Sequence, residues 1–342
     1  MKAVEPTAPD SLGVHQDGSD YSYFSSVQLG SDKKEMWLLI DTGSPSTWVF
    51  GSDCKSQACL KHDTFGKENS KTLNITTDTW SVNYGSGDVS GVVAHDQFTL
   101  AGYKVDIGFG LANVASNEFL TYPMDGILGL GRAIANKMGT SPLMEVIAKG
   151  KLLKNNVLGV HLSRSADGEA DGQITFGAAD KSKFKGDLSY TNTLSADGMW
   201  EISCEGAAVD GKDLGLKGKT AIIDTGTSYV LLPPGDAKVL HGKIAGSVNT
   251  GETYSLPCDT KVKLEFTFSG VTYEISPKDY VGLAAKDGKM CASNIVGHQS
   301  FGPDTWLLGD VFLKNVYTVF DFDKDRIGTL DCSLRRGCAN LS

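Results

Sequence analysis

One short pattern occurs twice in the chain, and it constrains the fold more than any other feature. The first copy is WLLIDTGSPSTWVF (residues 37–50) and the second is TAIIDTGTSYVLLP (residues 220–233). Each copy is followed by a second matched element, DGILGLG at 125–131 and WLLGDVF at 306–312. Asp41 precedes Gly129 by 88 residues, and Asp224 precedes Gly309 by 85. The correspondence predicts two lobes built alike.

Short apolar runs fill the sequence between these elements, separated by Gly, Asn, Asp and Ser, and the chain holds 40 glycines. The runs are rich in β-branched and aromatic residues, which indicates short strands joined by tight turns, so we predict a mostly β fold. The best helical pattern covers residues 141–153, where Ser141 is a candidate cap and Pro142 suits the first helical position.

The 342 residues are enough for two lobes of ordinary domain size. The stretch GDLSYTNTLSADG (residues 186–198) is polar and turn-rich and lies between the two halves. We therefore place the boundary near residue 190. This division gives an N-terminal lobe over 1–190 and a C-terminal lobe with a cysteine-containing tail over 191–342.

The formal net charge of −9 makes nucleic acid and anionic membrane surfaces unfavourable partners, because like charges repel. No apolar run is long enough to span a membrane. The first ten residues, MKAVEPTAPD, have no apolar core typical of a signal peptide. If the protein is secreted, we expect a leader to have been removed before this numbering starts.

Seven cysteines without any C-x-x-C spacing indicate an oxidising compartment. Cys54 and Cys59 are close enough for a small loop bridge, but the sequence spacing does not fix the connectivity. Two glycosylation sequons, which begin at Asn74 and Asn340, agree with secretion. The six histidines are scattered and match no zinc motif, so we expect no metal site.

The paired Asp-Thr-Gly turns suggest a specific chemistry. An apolar strand that runs into an aspartate places its carboxylate at the end of the strand, and the glycine that follows permits a tight turn. Two such turns related by pseudo-symmetry would bring Asp41 and Asp224 face to face. Carboxylates about 3 Å apart cannot both ionise, so they share one proton, an effect for which aspartic proteases are the standard example. Such a pair can activate water for acyl-bond hydrolysis without metal or cofactor.

With these motifs, the sequence resembles the pepsin-like aspartic endopeptidases, most of all their secreted fungal members. The resemblance runs from about Tyr23 to about Leu330 and includes DGILGLGR and WLLGDVFLKNVYTVFD. It implies a bilobal β fold with a cleft between the lobes, and Asp41 and Asp224 as the catalytic pair. The supporting residues that it implies in the two turns are Thr42, Gly43, Ser44, Thr225, Gly226 and Thr227.

The same resemblance implies a β-hairpin flap over the substrate at about 82–91, with Tyr84 as its tyrosine and Trp48 as the tryptophan that hydrogen-bonds to it. It also places Ile127 beside the substrate. The flap tip continues as Gly85, Ser86, Gly87 and Asp88. Asp88 either lies in solvent or accepts a Lys or Arg of the substrate; related fungal enzymes carry an acidic residue at the position of Ser86 instead.

Further properties follow from the resemblance. It implies Cys54–Cys59 and Cys258–Cys291 disulfides, while Cys204, Cys332 and Cys338 depart from the family pattern. It implies extended peptide and protein substrates with large hydrophobic residues next to the cut, inhibition by pepstatin, a monomer, and synthesis as a zymogen. We expect a secreted protein, with a vacuolar or cell-wall location as the alternative.

Two other functions compete with an active endopeptidase. One is a pepsin-fold binding or inhibitor protein that has lost catalysis, and such proteins usually have a damaged turn or flap. The other is a carbohydrate-active β protein that uses two carboxylates, which would need a separation of about 5 to 9 Å.

Overall fold

The computed structural model describes residues 3–85, 87–132, 136, 138–194 and 198–331. Ser86, Cys332, Cys338 and Asn340 lie outside the described residues, so the predictions made for them are not addressed by the structure. The fold is mostly β, with 44% strand and 11% helix, which confirms the predicted fold class.

The strands and helices follow one another as short segments. The strands are β1 (Ser11–Gly13), β2 (His15–Gln16), β3 (Tyr23–Leu29), β4 (Lys34–Asp41), β5 (Trp48–Phe50), β6 (Asn74–Tyr84), β7 (Gly87–Leu100), β8 (Tyr103–Ala115), β9 (Gly126–Gly129), β10 (Val157–His161), β11 (Gln173–Phe176), β12 (Ser189–Asn192), β13 (Glu201–Cys204), β14 (Gly206–Val209), β15 (Lys212–Asp213), β16 (Lys219–Ile223), β17 (Val230–Leu232), β18 (Val248–Asn249), β19 (Tyr254–Pro257), β20 (Leu264–Phe268), β21 (Val271–Ile275), β22 (Val281–Ala284), β23 (Met290–Ser293), β24 (Ile295–Gly297), β25 (Thr305–Leu308), β26 (Val316–Asp321) and β27 (Arg326–Asp331). The α-helices are α1 (Leu143–Lys149), α2 (Pro234–His241), α3 (Pro277–Tyr280) and α4 (Asp310–Leu313), and 3₁₀ turns cover Cys59–Lys61, Asn117–Thr121 and Ser165–Asp167.

The two halves of the chain contain the same four-strand framework. The first half forms an eight-stranded sheet in the order β2-β3-β4-β9-β5-β8-β7-β6. In it, β4 runs parallel to β9, β9 antiparallel to β5, and β5 parallel to β8. The second half forms a five-stranded sheet, β13-β16-β25-β17-β24, in which β16, β25, β17 and β24 repeat those directions. The repeated sequence motifs thus occupy equivalent places in two equivalent sheets.

A six-stranded sheet joins segments that are distant in sequence, in the order β1-β11-β10-β26-β27-β12. Strands β26 and β27 come from the end of the described chain, yet β26 pairs with β10 from the first half. Strand β12 crosses the predicted boundary at residue 190 and pairs with β27. The division into lobes at 190 stays a prediction. Two four-stranded sheets, β15-β14-β20-β21 and β18-β19-β23-β22, complete the β structure of the described ranges.

The predicted helix over 141–153 is wrong in its length and in its cap. Helix α1 covers only Leu143–Lys149, and the side chain of Ser141 does not cap it. The helix ends early because Lys151 adopts a left-handed φ of 53°, after which the amide of Leu152 bonds back to the carbonyl of Ile147 at 3.2 Å. Its apolar face is nevertheless buried. Within the described ranges, every helix is too short or too polar to cross a bilayer.

Two disulfides occur in the structure, Cys54–Cys59 and Cys258–Cys291, with Cα–Cα distances of 5.8 and 5.0 Å. The first closes a small loop beside β5, and the second joins two residues that are 33 positions apart in the sequence. Cys204 is a buried free thiol, and burial raises its pKa to about 12. A protonated, inaccessible thiol is unreactive, so Cys204 acts as a small apolar core residue.

Candidate active site

Each half of the chain contributes one aspartate, and the two aspartates lie next to each other. Strand β4 ends at Asp41, whose carbonyl accepts a hydrogen bond of 2.7 Å from the amide of Leu130. Strand β16 ends one residue before Asp224, whose amide donates 3.1 Å to the carbonyl of Leu308. The parallel partner strand, β9 or β25, therefore fixes the backbone of each aspartate.

The threonines of the two Asp-Thr-Gly turns bind each other across the interface between the halves. The amide of Thr42 donates to Oγ1 of Thr225 at 3.1 Å, and the amide of Thr225 donates to Oγ1 of Thr42 at 3.0 Å. Each hydroxyl in turn donates to a carbonyl of the opposite half, that of Ile223 or that of Ile40, at 3.2 and 2.8 Å. Both side chains are fully buried, and both of their hydroxyls and both of their amides have a hydrogen-bond partner, as buried polar groups require.

The two carboxylates meet at a shared amide. The N–H of Gly43 lies 2.9 Å from Oδ1 of Asp41 and 3.0 Å from Oδ1 of Asp224, so one donor contacts both groups. The amide of Gly226 donates to the same oxygen of Asp224 at 2.8 Å. Asp224 also lies close enough for its charge to act on the carboxyl group of Asp41. The pair thus forms a single unit held by backbone donors.

The hydroxyl residues that follow the glycines have different roles. Thr227 donates through Oγ1 to Oδ2 of Asp224 at 2.7 Å, which fixes the rotamer of that carboxylate. Ser44 contacts Asp41 through its backbone, whose amide donates to Oδ1 at 3.0 Å. Its hydroxyl instead accepts from the amide of Ser46 at 3.2 Å.

The glycines of the two turns are required because the opposite carboxylate fills the space of a side chain. An ideal Cβ on Gly43 would lie 2.6 Å from Cγ of Asp224, and one on Gly226 would lie 2.6 Å from Cγ of Asp41. Gly309 is tighter still, since its Cβ would be 1.9 Å from the carbonyl oxygen of Thr227. Glycine therefore stands where the turn backbone meets the carboxylate of the other half, at Gly43 and Gly226, or a turn of its own half, at Gly309.

Burial and proximity act together on the titration of the pair. Asp41 and Asp224 expose only 5% and 8% of their surfaces. Burial raises the pKa of Asp41 well above its usual range, and the neighbouring carboxylate of Asp224 raises it further, against the lowering effect of the Gly43 and Ser44 amides. Because the two groups interact strongly, the proton belongs to the pair rather than to one residue.

The hairpin of β6 and β7 covers this unit. The indole of Trp48 donates to the hydroxyl of Tyr84 at 3.0 Å. Tyr84 packs against an aromatic cluster that includes Phe119, whose ring lies 5.5 Å from that of Trp48. Burial, followed by the charge of Asp41, raises the pKa of Tyr84, so its hydroxyl stays protonated close to the carboxylates.

The remaining predicted flap residues lie in distinct environments. Gly87 has a left-handed φ of 139°, which suits the hairpin tip, and Gly85 is exposed with open space around it. Asp88 is exposed and pairs with Asn83, one position from the pair of Tyr84 with Gly87. Since side chains alternate along a strand, Asp88 lies on the face of the flap opposite to Tyr84.

Ile127 is buried within the aromatic cluster behind the flap, where it pairs with Trp48 across β5 and β9. Its contacts are those of a packing residue that supports the flap tryptophan. Its substrate-binding role stays a prediction.

Sequence reasoning missed an acidic residue on the Tyr84 side of the flap. Glu118 is exposed in the 3₁₀ turn Asn117–Thr121, and a Cβ on Gly87 would lie 3.2 Å from its Cβ. A hydrogen bond from the side chain of Ser116 lowers the pKa of Glu118, which favours the charged form. Nothing in the local sequence signals this proximity, because the flap and the turn are separated along the chain.

Sequence reasoning also missed Asp310, a further buried acid near the pair of Asp41 and Asp224. Asp310 begins α4 and exposes only 1% of its surface. Burial raises its pKa well above the usual range, Lys314 opposes this shift, and the charge of Asp224 adds to it. The sequence signal for Asp310 is its position in the second matched element, WLLGDVF. Gly309, the residue before it, packs against Thr227 of the Asp224 turn.

Matched strand frameworks, a reciprocal threonine contact and a proton-sharing carboxylate pair define the class of pepsin-like aspartic proteases. The chain belongs to the eukaryotic aspartyl protease family, whose family model matches residues 22–331.

Several curated proteins are similar to this chain over most of its length. A protein of Arthroderma benhamiae named "Probable aspartic-type endopeptidase CTSD" is 52% identical over 326 residues, which cover 95% of this chain and 64% of that protein. The "Aspartic-type endopeptidase ctsD" of Aspergillus fumigatus is 51% identical, with 95% and 69% covered. Pepsin A of Bos taurus is 30% identical, with 90% and 84% covered. The chain thus spans just under two thirds of the length of the Arthroderma relative.

Proposed function

We propose that this protein is an aspartic endopeptidase that hydrolyses internal peptide bonds of proteins at acid pH. The observation that carries the proposal is the contact of one amide, that of Gly43, with both Asp41 and Asp224. This contact holds two carboxyl groups close enough to share a proton, which is the arrangement that activates water without a nucleophilic side chain.

The reaction follows from one proton on the pair. The ionised carboxylate accepts a proton from water while the water oxygen bonds to the peptide carbonyl carbon. The protonated carboxyl group donates to the carbonyl oxygen, which gives a neutral tetrahedral intermediate. Transfer of a proton to the amide nitrogen then breaks the C–N bond and releases a carboxylic acid and an amine.

The flap supports substrate binding in an extended form. The hairpin presents backbone groups near its tip, and an extended peptide can bond to them as an added strand. The hydrogen bond between Trp48 and Tyr84 holds the flap tyrosine above the carboxylates. Large hydrophobic residues beside the cut would pack against the aromatic cluster around Phe119.

The alternatives conflict with the geometry of the pair. A glycosidase needs carboxyl groups about 5 to 9 Å apart, whereas here a single amide, that of Gly43, lies 2.9 and 3.0 Å from an oxygen of each group. A binding protein without catalysis would not need both turn glycines, both aspartates and the flap tyrosine. Cleavage of a denatured protein at acid pH, with and without pepstatin, tests the proposal. Cleavage blocked by pepstatin is expected; no cleavage, or cleavage unaffected by pepstatin, contradicts it.

We expect kcat/KM to be highest in acid and to fall as the pH approaches neutrality. The raised pKa of Asp41 keeps one proton on the pair through mildly acidic pH, and that proton is lost as the pH rises through the raised value. Without it, the pair has no general acid. A pH series with one peptide substrate measures this, and a rate that rises steadily from about pH 4 to about pH 8 would refute it.

We expect Glu118, rather than Asp88, to favour basic substrate residues, because only Glu118 lies on the Tyr84 side of the flap. Glu118→Gln should lower kcat/KM for a peptide with Lys beside the cut by roughly two- to fivefold, the small effect of an exposed ion pair. The matched peptide with Leu should be unaffected, and Asp88→Asn should change neither. Equal losses for Lys and Leu would show that Glu118 acts on the flap and not on recognition.

We further propose that the protein acts outside the cytosol, as a secreted enzyme or in a vacuolar or wall-associated form. Its two disulfides support an oxidising compartment. We propose a monomer with protein substrates as its partners, since one chain supplies both aspartates of the pair.

A further inference from the structure

A polar patch lies at the end of β6 that is far from the flap. Asn74 is the first residue of β6, and Tyr84 at the other end belongs to the flap. Asn74 pairs with His95 of β7, which in turn pairs with Gly108 of β8. Because paired residues point to the same face of a sheet, the exposed side chains of Asn74 and His95 are neighbours.

This patch borders a cavity of about 370 Å³. Besides Asn74 and His95, its lining includes Ser31, Gln97 and Asp106. Gln97 and Asp106 are also a cross-strand pair on the same face, joined by a hydrogen bond of 3.4 Å. The lining therefore combines amide, carboxylate, hydroxyl and imidazole groups with a larger apolar surface, which suits a ligand that has hydroxyl and amide groups on an apolar ring.

One oxygen of a buried carboxylate at this cavity lacks a hydrogen-bond partner among the described residues. Asp96 lines the cavity and is only 6% exposed. Its Oδ1 accepts from the hydroxyl of Thr72 at 2.7 Å and from the amide of Gln97 at 2.8 Å. Its Oδ2 has no partner among the described residues. This oxygen is inaccessible, and Asp96 alternates with His95 and Gln97 along β7, so its carboxylate lies on the other face of the strand from a ligand over His95.

Asn74 begins the sequon Asn-Ile-Thr, which is the acceptor signal for N-glycosylation. We propose that Asn74 carries an N-linked glycan whose first N-acetylglucosamine lies in this cavity, over the ring of His95. The donor is an oligosaccharide linked to a lipid diphosphate. Nδ2 of Asn74 loses a proton and bonds to C1 of the sugar, while the bond from C1 to the diphosphate breaks and the lipid diphosphate leaves.

The cavity and the acceptor side chain explain why the first sugar would be ordered rather than free in solvent. The attachment atom is at the rim, so the sugar reaches the cavity without a linker. Its hydroxyl and acetamido groups can bond to Gln97 and Asp106, and its apolar ring face can pack on the imidazole of His95. The cavity is not lined by Asp41 or Asp224, so a negative result at Asn74 would leave the protease proposal unaffected.

The test uses the whole chain produced through the secretory pathway of a eukaryotic host. Mass spectrometry of the peptide that contains residue 74 is expected to show a glycan on Asn74. An endoglycosidase that leaves one N-acetylglucosamine then gives the single-sugar protein, and Asn74→Gln gives a sugar-free reference. The rate at which diethyl pyrocarbonate modifies His95 is compared in the two proteins, and His298, which is also exposed, is the internal control.

His95 is expected to react several-fold more slowly in the single-sugar protein than in Asn74→Gln, with His298 unchanged. The same slow rate is expected in the protein with its full glycan, because only the first sugar covers the ring. An unmodified Asn74 in the secreted protein would overturn the proposal. Equal rates at His95 with and without the sugar would also overturn the proposal, since the sugar would then be attached without lying against the imidazole ring. Peptide cleavage is measured in parallel and should be equal in both proteins.

Discussion

Asp41→Asn is expected to lower kcat/KM by at least about 10³-fold, because general acid–base catalysis alone contributes about 10² to 10⁴-fold and both roles depend on the shared proton. The amide keeps the shape of the side chain but cannot exchange that proton. Asp224→Asn should behave in the same way. Activity on a peptide substrate at the acid optimum measures the loss, and Asp53→Asn, a change at an exposed aspartate, is the control that should leave activity intact.

Folding should survive the change at Asp41, and its pH dependence has a predictable sign. The pKa of Asp41 is raised in the folded protein, so the stabilisation linked to its proton is present at low pH and is lost as the pH rises through the raised value. Asparagine does not titrate. The Tm of Asp41→Asn should therefore equal or exceed that of the wild type near neutral pH. A variant that keeps a tenth of wild-type activity would contradict the assignment of the pair.

Gly43→Ala is expected to lower activity by about 10²-fold or more, because a methyl group would occupy the place of the Asp224 carboxyl group, 2.6 Å from its Cγ. The two carboxylates would be pushed apart and the shared amide would move with them. The loss should fall on kcat for a good peptide substrate, with a smaller change in KM, since the substrate contacts of the flap are retained.

Gly235→Ala is the matched control for this substitution. Gly235 lies in α2, and a Cβ there meets no atom within 4 Å, so the same chemical change should leave activity unaltered. Alanine is also the better helix former, so stability should not fall. Wild-type activity in Gly43→Ala would mean that the pair tolerates displacement and that its close contact is not needed for turnover.

The repeat in the sequence was enough to predict the class of fold and the elements around the carboxylates. An apolar run into Asp-Thr-Gly is a local signal, and two copies with matched partners imply two equivalent strand frameworks. The family resemblance correctly led to the pairing of Trp48 with Tyr84, which the structure shows as a hydrogen bond. These features depend on residues close in sequence or on a repeated spacing.

What the sequence did not reveal depends on contacts between distant segments. Glu118 approaches the flap only because its 3₁₀ turn packs against Gly87, a relation set by tertiary packing. The sequence leaves Asp88 either in solvent or facing a basic substrate residue, and the register of β6 with β7 places it on the face opposite to Tyr84. The end of α1 was missed because the left-handed backbone of Lys151 leaves no mark in the hydrophobic pattern.

The six-stranded sheet affects the order in which strands can pair while the chain is being synthesised. Strand β10 pairs with β11 on one side and with β26 on the other, and β26 begins only at residue 316. During synthesis from the N-terminus, the first half can complete its eight-stranded sheet, yet one edge of β10 stays unpaired until residues 316–321 have emerged. Such an open edge is a template for wrong pairing with other chains. The ribosome-bound protein is thus most exposed to aggregation just before β26 emerges.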